Sequence, residues 1–193
     1  AALDSLCAVG RAALRGGTAY VTLEPCTHHG KTPPCSDALI NAGIIRLVVA
    51  MQDPDQRVNG AGFDQMAAAN IEILTGVMHS EAKEILSGFI NRVRTDKPLC
   101  SVKVATSLDG RIAFSDRKKR WLTGEPMRRY VHVLRSEIDA IVTGVGTVLA
   151  DDPQLNCRIA GLADDSPPIY VFDRLLRIPT TAKLFQSHHP VTV

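Results

Sequence analysis

The run Ile44-Ile45-Arg46-Leu47-Val48-Val49-Ala50-Met51 constrains the fold more than any other segment. It is nearly continuous in apolar residues, so it has no polar face to turn toward water. Such a run is expected of a strand covered on both sides, the pattern of a parallel sheet flanked by helices. Its neighbours agree. Residues 1–15 are rich in alanine and leucine, with a partial helical stripe at Leu3, Leu6, Ala13 and Leu14 that Gly16-Gly17 ends. Thr18–Leu23 is β-branched and aromatic, a strand. Residues 36–42 read as a short helix closed by Gly43, residues 63–69 as a helix, 71–74 as a strand and 81–93 as a helix. Helix and strand alternate throughout, which implies a three-layer α/β domain with a largely parallel sheet.

Thr95-Asp96-Lys97-Pro98 interrupts this series and divides the chain into domains 1–95 and 96–193. A second α/β series follows. Residues 99–106 read as a strand, 108–110 as a turn, 127–136 as a helix and 138–143 as a strand. Residues 144–147 read as a glycine turn, 169–172 as a strand, and 190–193 as the opening of another strand. This second domain reads as unfinished.

Bulk properties exclude several functions. A net charge of +2 gives no electrostatic case for nucleic acid or an anionic membrane. The basic run Arg117-Lys118-Lys119-Arg120 reads as a solvated loop. No apolar run approaches the ~18 residues of a membrane span, and no signal peptide is visible. The five cysteines show no repeating spacing. Cys7, Cys100 and Cys157 are isolated and read as reduced thiols, which fits the cytoplasm.

Chemistry concentrates between Leu23 and Cys35. Cys26 and Cys35 each follow a proline, one at a strand end and one at a helix start. Zinc takes thiolate and imidazole ligands, and a catalytic site keeps one position open for water. A helix N-terminus favours the thiolate. Two unrelated buried thiols are the plain alternative, but the prolines and the polar spacer argue against burial. His28 and His29 are either ligands or loop residues that meet a substrate.

Leu23-Glu24-Pro25-Cys26 resembles the zinc nucleoside and nucleobase deaminases, whose signature is His-x-Glu followed by Pro-Cys-x-x-Cys. Two departures stand out: eight residues separate the cysteines, and no His-x-Glu precedes them. The spacer His28-His29-Gly30-Lys31-Thr32-Pro33-Pro34-Cys35 is more specific. It resembles the bifunctional riboflavin-biosynthesis deaminase–reductases, in which a His-Ala-Glu lies before an alanine-rich helix. The resemblance implies that the third zinc ligand, a histidine, and the proton-shuttling glutamate lie upstream of residue 1. It implies a chain truncated at both ends, and one that lacks deaminase activity by itself.

The second half resembles the reductase domain of the same family. Ser101 to Ala113, Trp121-Leu122-Thr123-Gly124 and Thr143 to Pro153 match it in order. The implied fold is a cytidine-deaminase-like three-layer α/β/α domain followed by a dihydrofolate-reductase-like α/β domain. The implied cofactors are zinc and NADPH. Gly144 and Gly146 can offer backbone N–H groups to phosphates, although their spacing is not a Rossmann fingerprint and such glycines taken alone are more often an ordinary turn.

By resemblance, Ala105, Trp121, Thr147 and Asp151 contact the cofactor, while Lys119, Arg135, Leu155 and Arg158 contact the substrate. The family has a small polar residue where Lys119 stands. Arginine suits a ribose phosphate because its fork meets two oxygens; for Arg135 the alternative is a charge complementing a helix C-terminus. Lys103 is the candidate catalytic or substrate-orienting cation. Lys31 and His28 are placed at the deaminase substrate, with Cys26 and Cys35 on the metal.

The implied partner is a phosphorylated pyrimidine, first deaminated to an aminouracil and then reduced from ribosyl to ribityl. Nucleic acid and membrane are not expected partners, and a homo-oligomer is left open. Two other readings are a nucleoside- or tRNA-type deaminase with an unrelated C-terminal domain, and a structural zinc module closed by His28 or His29.

Overall fold

The computed structural model describes residues 14–30, 32–114 and 120–193, so most of the helix expected over 1–15 lies outside the described residues. The chain divides into two compact units, residues 1–101 and 102–193. In the first, the elements run β1 (Thr18–Leu23), α1 (Cys35–Ala42), β2 (Arg46–Met51), α2 (Ala61–Ala68), β3 (Glu72–Thr75), α3 (His79–Ile85) and α4 (Ser87–Thr95). The three strands form a parallel sheet in the order β1-β2-β3.

The apolar run is the central strand, as its composition requires. Leu47 and Val49 are fully buried on one face, with Leu39, Ala42, Ile44, Met66 and Ile71 around them. Val48 and Ala50 alternate to the opposite face and are buried too. Each buried Leu, Val, Ile or Met among them adds roughly 1.5–3 kcal/mol relative to exposure. Gly43 closes α1 in the left-handed conformation, its N–H bonded to Ile40 O. That backbone, at φ 75°, is one glycine adopts without strain.

One helix differs from expectation. The stretch expected to be a single helix over 81–93 is two, α3 and α4, because Leu86 leaves helical geometry at φ −90°, ψ 8°.

The second unit holds α5 (Glu125–Ser136), β4 (Ile141–Gly144), α6 (Val145–Asp151), β5 (Ile169–Phe172) and β6 (Val191–Thr192). Its sheet is again parallel, in the order β4-β5-β6. Val148, Ile169, Val171, Ala182 and Leu184 form its core.

Three expectations are corrected here. The strand expected over 99–106 does not form: the segment has no regular structure, and Val102 and Val104 are 86% and 58% exposed. Apolar alternation makes a strand only where a neighbouring strand takes up its N–H and C=O groups, and no described strand lies beside this one. The strand expected over 138–143 begins only at Ile141, whose N–H bonds Pro168 O. The glycine turn expected over 144–147 is a direct passage from strand to helix, with Gly144 both ending β4 and capping α6.

The turn at 108–110 does form. Gly110 takes φ 75°, and its N–H bonds Ser107 O at 3.0 Å. Among the described residues no helix is long and apolar enough to cross a membrane.

Candidate functional site

The first group of residues is built where β1 meets α1. Glu24 N–H bonds Met51 O and continues the sheet ladder past the end of β1. The Glu24 side chain is buried. Its carboxylate accepts from the backbone N–H groups of Asp53 (3.2 Å), Gly60 (2.9 and 3.1 Å) and Gly62 (2.9 Å). The loop from β2 to α2 is thereby tied to the point where Pro25-Cys26 leaves the sheet. A Cβ on Gly62 would lie 2.2 Å from Pro25 O, so only glycine allows this approach. Asp55, in the same loop, is held down at about 2 by its bonds to the Arg57 side chain.

Cys35 is the first residue of α1, one position earlier than the sequence suggests. Its backbone N–H points at Cys26 Sγ, 3.4 Å away. Cys26 O accepts from Ser36 N at 3.2 Å. The Ser36 hydroxyl lies 3.0 Å from Cys26 O and 2.7 Å from Gln65 Oε1, and gives its one proton to either. Burial and the neighbouring Cys26 push the Cys35 thiol up. Two thiolates this close oppose each other's ionisation, and a divalent cation between them removes that penalty. The donor chemistry therefore fits zinc.

Among the described residues no group of three His, Cys, Asp or Glu side chains is arranged to hold a metal ion. His28 and His29 are exposed. Lys31 lies outside the described residues.

The second group is in the second unit. Arg135, in the last turn of α5, donates from Nη1 to Asn156 O at 3.0 Å, away from the carbonyls of its own helix. Arg158 Nη1 reaches Asn156 Oδ1 at 2.9 Å and Gln154 Oε1 at 3.1 Å. Two of the expected substrate residues are thus brought onto one asparagine. Beside them is an open cleft of about 350 Å³ lined by Glu125, Arg128, Arg129, His132 and Arg158. Its cationic excess suits an anion. Leu155 packs on the core of the unit and takes φ 55°, an uncommon conformation for a branched side chain.

The expected cofactor residues are more dispersed. Thr147 and Asp151 are exposed and one helical turn apart on α6. The next residue, Asp152, bonds Lys183 N at 2.9 Å and so fixes the end of that helix. Trp121 is 79% exposed, with the Arg128 guanidinium 4.8 Å over its ring and Arg128 Nη1 on Thr123 O at 2.7 Å. Ala105 is half-buried and Lys103 exposed on the irregular segment, while Lys119 lies outside the described residues.

Sequence reasoning missed Glu24, Arg128 and His132. A signal existed for the last two: positions 128, 132 and 135 share one face of the helix expected over 127–136.

Residues 1–51 match the family described as the cytidine and deoxycytidylate deaminase zinc-binding region, and residues 98–193 match the RibD C-terminal domain. The riboflavin biosynthesis protein RibD of Escherichia coli is 47% identical over 156 residues, covering 81% of this chain and 42% of that protein. The RibD of Aquifex aeolicus is 38% identical over 179 residues, covering 93% of this chain and 50% of its own length.

Among solved structures, the chain is similar to a diaminohydroxyphosphoribosylaminopyrimidine deaminase/5-amino-6-(5-phosphoribosylamino)uracil reductase from Thermotoga maritima. That structure has a TM-score of 0.82 at 37% identity, covering 92% of this chain and 50% of that one. Acinetobacter baumannii RibD gives a TM-score of 0.84 at 38% identity, covering 98% of this chain and 54% of that one. The chain spans about half the length of the curated relatives it matches.

Proposed function

The chain belongs to the family of the riboflavin biosynthesis proteins RibD, and on that premise we propose that its residues contribute to two consecutive steps on one phosphorylated pyrimidine, the deamination needing a further histidine and glutamate beyond residues 1–193. The first is hydrolytic deamination of a diamino-hydroxy-phosphoribosylaminopyrimidine to the aminouracil. The second is reduction of the ribosyl group to ribityl. The observation that carries this reading is the order of two matches on one chain, a deaminase zinc-binding region followed by a RibD C-terminal domain. Placing both steps together is reasonable, because the product of the first is the substrate of the second.

When bound, zinc supplies a hydroxide nucleophile at neutral pH and NADPH supplies a hydride. In this reading Cys26 and Cys35 hold the metal, their sulfurs set at the start of α1. Glu24 keeps that strand end in place through the loop it clasps. His28 and Lys31, on the connecting loop, meet the pyrimidine. In the second unit Arg135 and Arg158 hold the ribose phosphate, with Lys119 and Leu155 completing the substrate contacts. The left-handed backbone of Leu155 supports that role, since such strain is kept where position matters.

Ala105, Trp121, Thr147 and Asp151 contact NADPH. Trp121 presents a flat face, steadied by Arg128, to the cofactor. Lys103 is a cation able to orient or protonate the ribosyl oxygen as hydride arrives. The partners are small molecules, with neither nucleic acid nor membrane, and a homo-oligomer is compatible. The location is cytoplasmic, a reading that rests on the isolated spacing of Cys7, Cys100 and Cys157 in the sequence.

Trp121 is the only tryptophan, which makes the test direct. Titration with NADPH should quench its fluorescence saturably. Cys26→Ser should lower bound zinc while leaving that quenching intact. A fluorescence unaffected by NADPH, or zinc content indifferent to Cys26→Ser, would overturn the corresponding half of the proposal.

A further inference from the structure

His132, on α5, stands between the two arginines of the second unit. Its Nδ1 is 3.1 Å from Asn156 O, 3.3 Å from the backbone N of Arg158 and 3.5 Å from Arg135 Nη1. These neighbours differ in polarity. Arg158 N–H and Arg135 Nη1–H can only donate, while Asn156 O can only accept. Asn156 O is already served by Arg135 Nη1 at 3.0 Å. A carbonyl oxygen has two lone pairs, so Asn156 O can take both Arg135 Nη1 and an Nδ1–H, while in the other tautomer the Nδ1 lone pair takes the Arg158 N–H. Either way Nδ1 ties α5 to the backbone of Asn156 and Arg158. Burial, then Arg158 and Arg135, lower the His132 pKa, against the Asn156 O contact that raises it.

Asn156 completes the frame. Its backbone oxygen holds Arg135 and its side-chain oxygen holds Arg158. Among the described residues the hydrogen-bond partners of both guanidinium groups are neutral, so their charge is available to an incoming anion. His132 fixes α5 to the backbone at Arg158, and Asn156 fixes the two side chains to each other.

We infer that His132 is a positioning residue: its Nδ1, lodged against Asn156 O and the Arg158 N–H, fixes α5 to the backbone that carries Arg158 and so keeps Arg135 and Arg158 together at Asn156 for one phosphate group. This rests on the reading that these two arginines hold the substrate's phosphate. His132 acts through them and need not touch the substrate.

Titration calorimetry with ribose 5-phosphate on the full chain tests both levels. The chain should bind, and Arg158→Ala should weaken binding by at least about tenfold. His132→Ala should weaken it by roughly tenfold, the effect of losing one well-placed hydrogen bond. His132→Asn, whose amide can stand near the Nδ1 position and either accept or donate there, should recover binding to within about threefold. Absence of binding by the unaltered chain, or an Arg158→Ala variant that binds as well as it does, would overturn the phosphate reading. If Arg158→Ala binds poorly while His132→Ala binds normally, the positioning role falls and the phosphate reading survives. A loss in His132→Ala that His132→Asn fails to recover would also overturn the role, since simple packing would then explain it.

Discussion

Glu24 and Cys26 are two residues apart, yet they differ in how far the sequence exposes them. Cys26 is legible because its chemistry is local: a proline before it, a second Pro-Cys after a polar spacer, and a helix start between strand and core. Glu24 is not, because its partners at Asp53, Gly60 and Gly62 are far along the chain and are backbone N–H groups, which no residue type advertises. The same loop supplies a prediction about Asp53, a buried carboxyl. Burial first, and then the charges of Asp55 and Glu24, raise its pKa above the ordinary 3.8, against the Asp55 N–H and His28 that pull it down. The folded form therefore binds this proton more tightly than the unfolded form does. Its contribution to stability is complete below the unfolded value and is lost as pH rises through the raised folded value. Asp53→Asn removes that dependence while keeping an acceptor for the Asp55 N–H. Relative to the unaltered chain, the variant should therefore gain stability between pH 4 and pH 7, as read from denaturant midpoints at roughly those two pH values. A variant that loses ground over that interval would contradict the raised pKa.

At the scale of elements, the apolar run of β2 was fully legible, because burial on both faces leaves no other way to satisfy it. The segment over 99–106 has comparable apolar content but no strand beside it, so its pattern stays unused. Sequence gives the face of a strand; its existence depends on a neighbour that local pattern does not contain. The break of α3 from α4 at Leu86 is hidden for a related reason, since the apolar spacing of Ile85, Leu86, Phe89 and Ile90 suits one continuous helix. The difference between the two strand-like segments is measurable. Leu47→Ala should cost about 2–5 kcal/mol, the range for a large-to-small change in a closed core. Val102→Thr with Val104→Thr should together stay within about 1 kcal/mol, because both side chains are already in water. Chemical denaturation of the two variants decides it. A loss in the valine pair as large as that in Leu47→Ala would show that the segment is packed as a strand after all.

Across the whole molecule, the repeated alternation of strand and helix anticipated two α/β units, and each has its own parallel sheet and its own core. The convergence of Arg135, Asn156 and Arg158 was only half legible. The family resemblance marked two of them as expected substrate contacts, a role arginine chemistry suits, but their meeting depends on α5 packing near a loop more than a dozen residues downstream. Cofactor linkage should separate the units experimentally. A ligand that binds only the folded form stabilises by RT ln(1 + [L]/Kd), about 2.7 kcal/mol at a hundredfold excess over Kd. The cysteine pair belongs to the first unit and Trp121 to the second. Removing zinc with a chelator should therefore lower the calorimetric transition of the first unit and leave the transition seen by Trp121 fluorescence in place. Adding NADPH should raise the Trp121 transition and leave the chelator-sensitive one unmoved. If both signals shift together under either treatment, the two cores unfold as a single cooperative body and their ligands are energetically coupled.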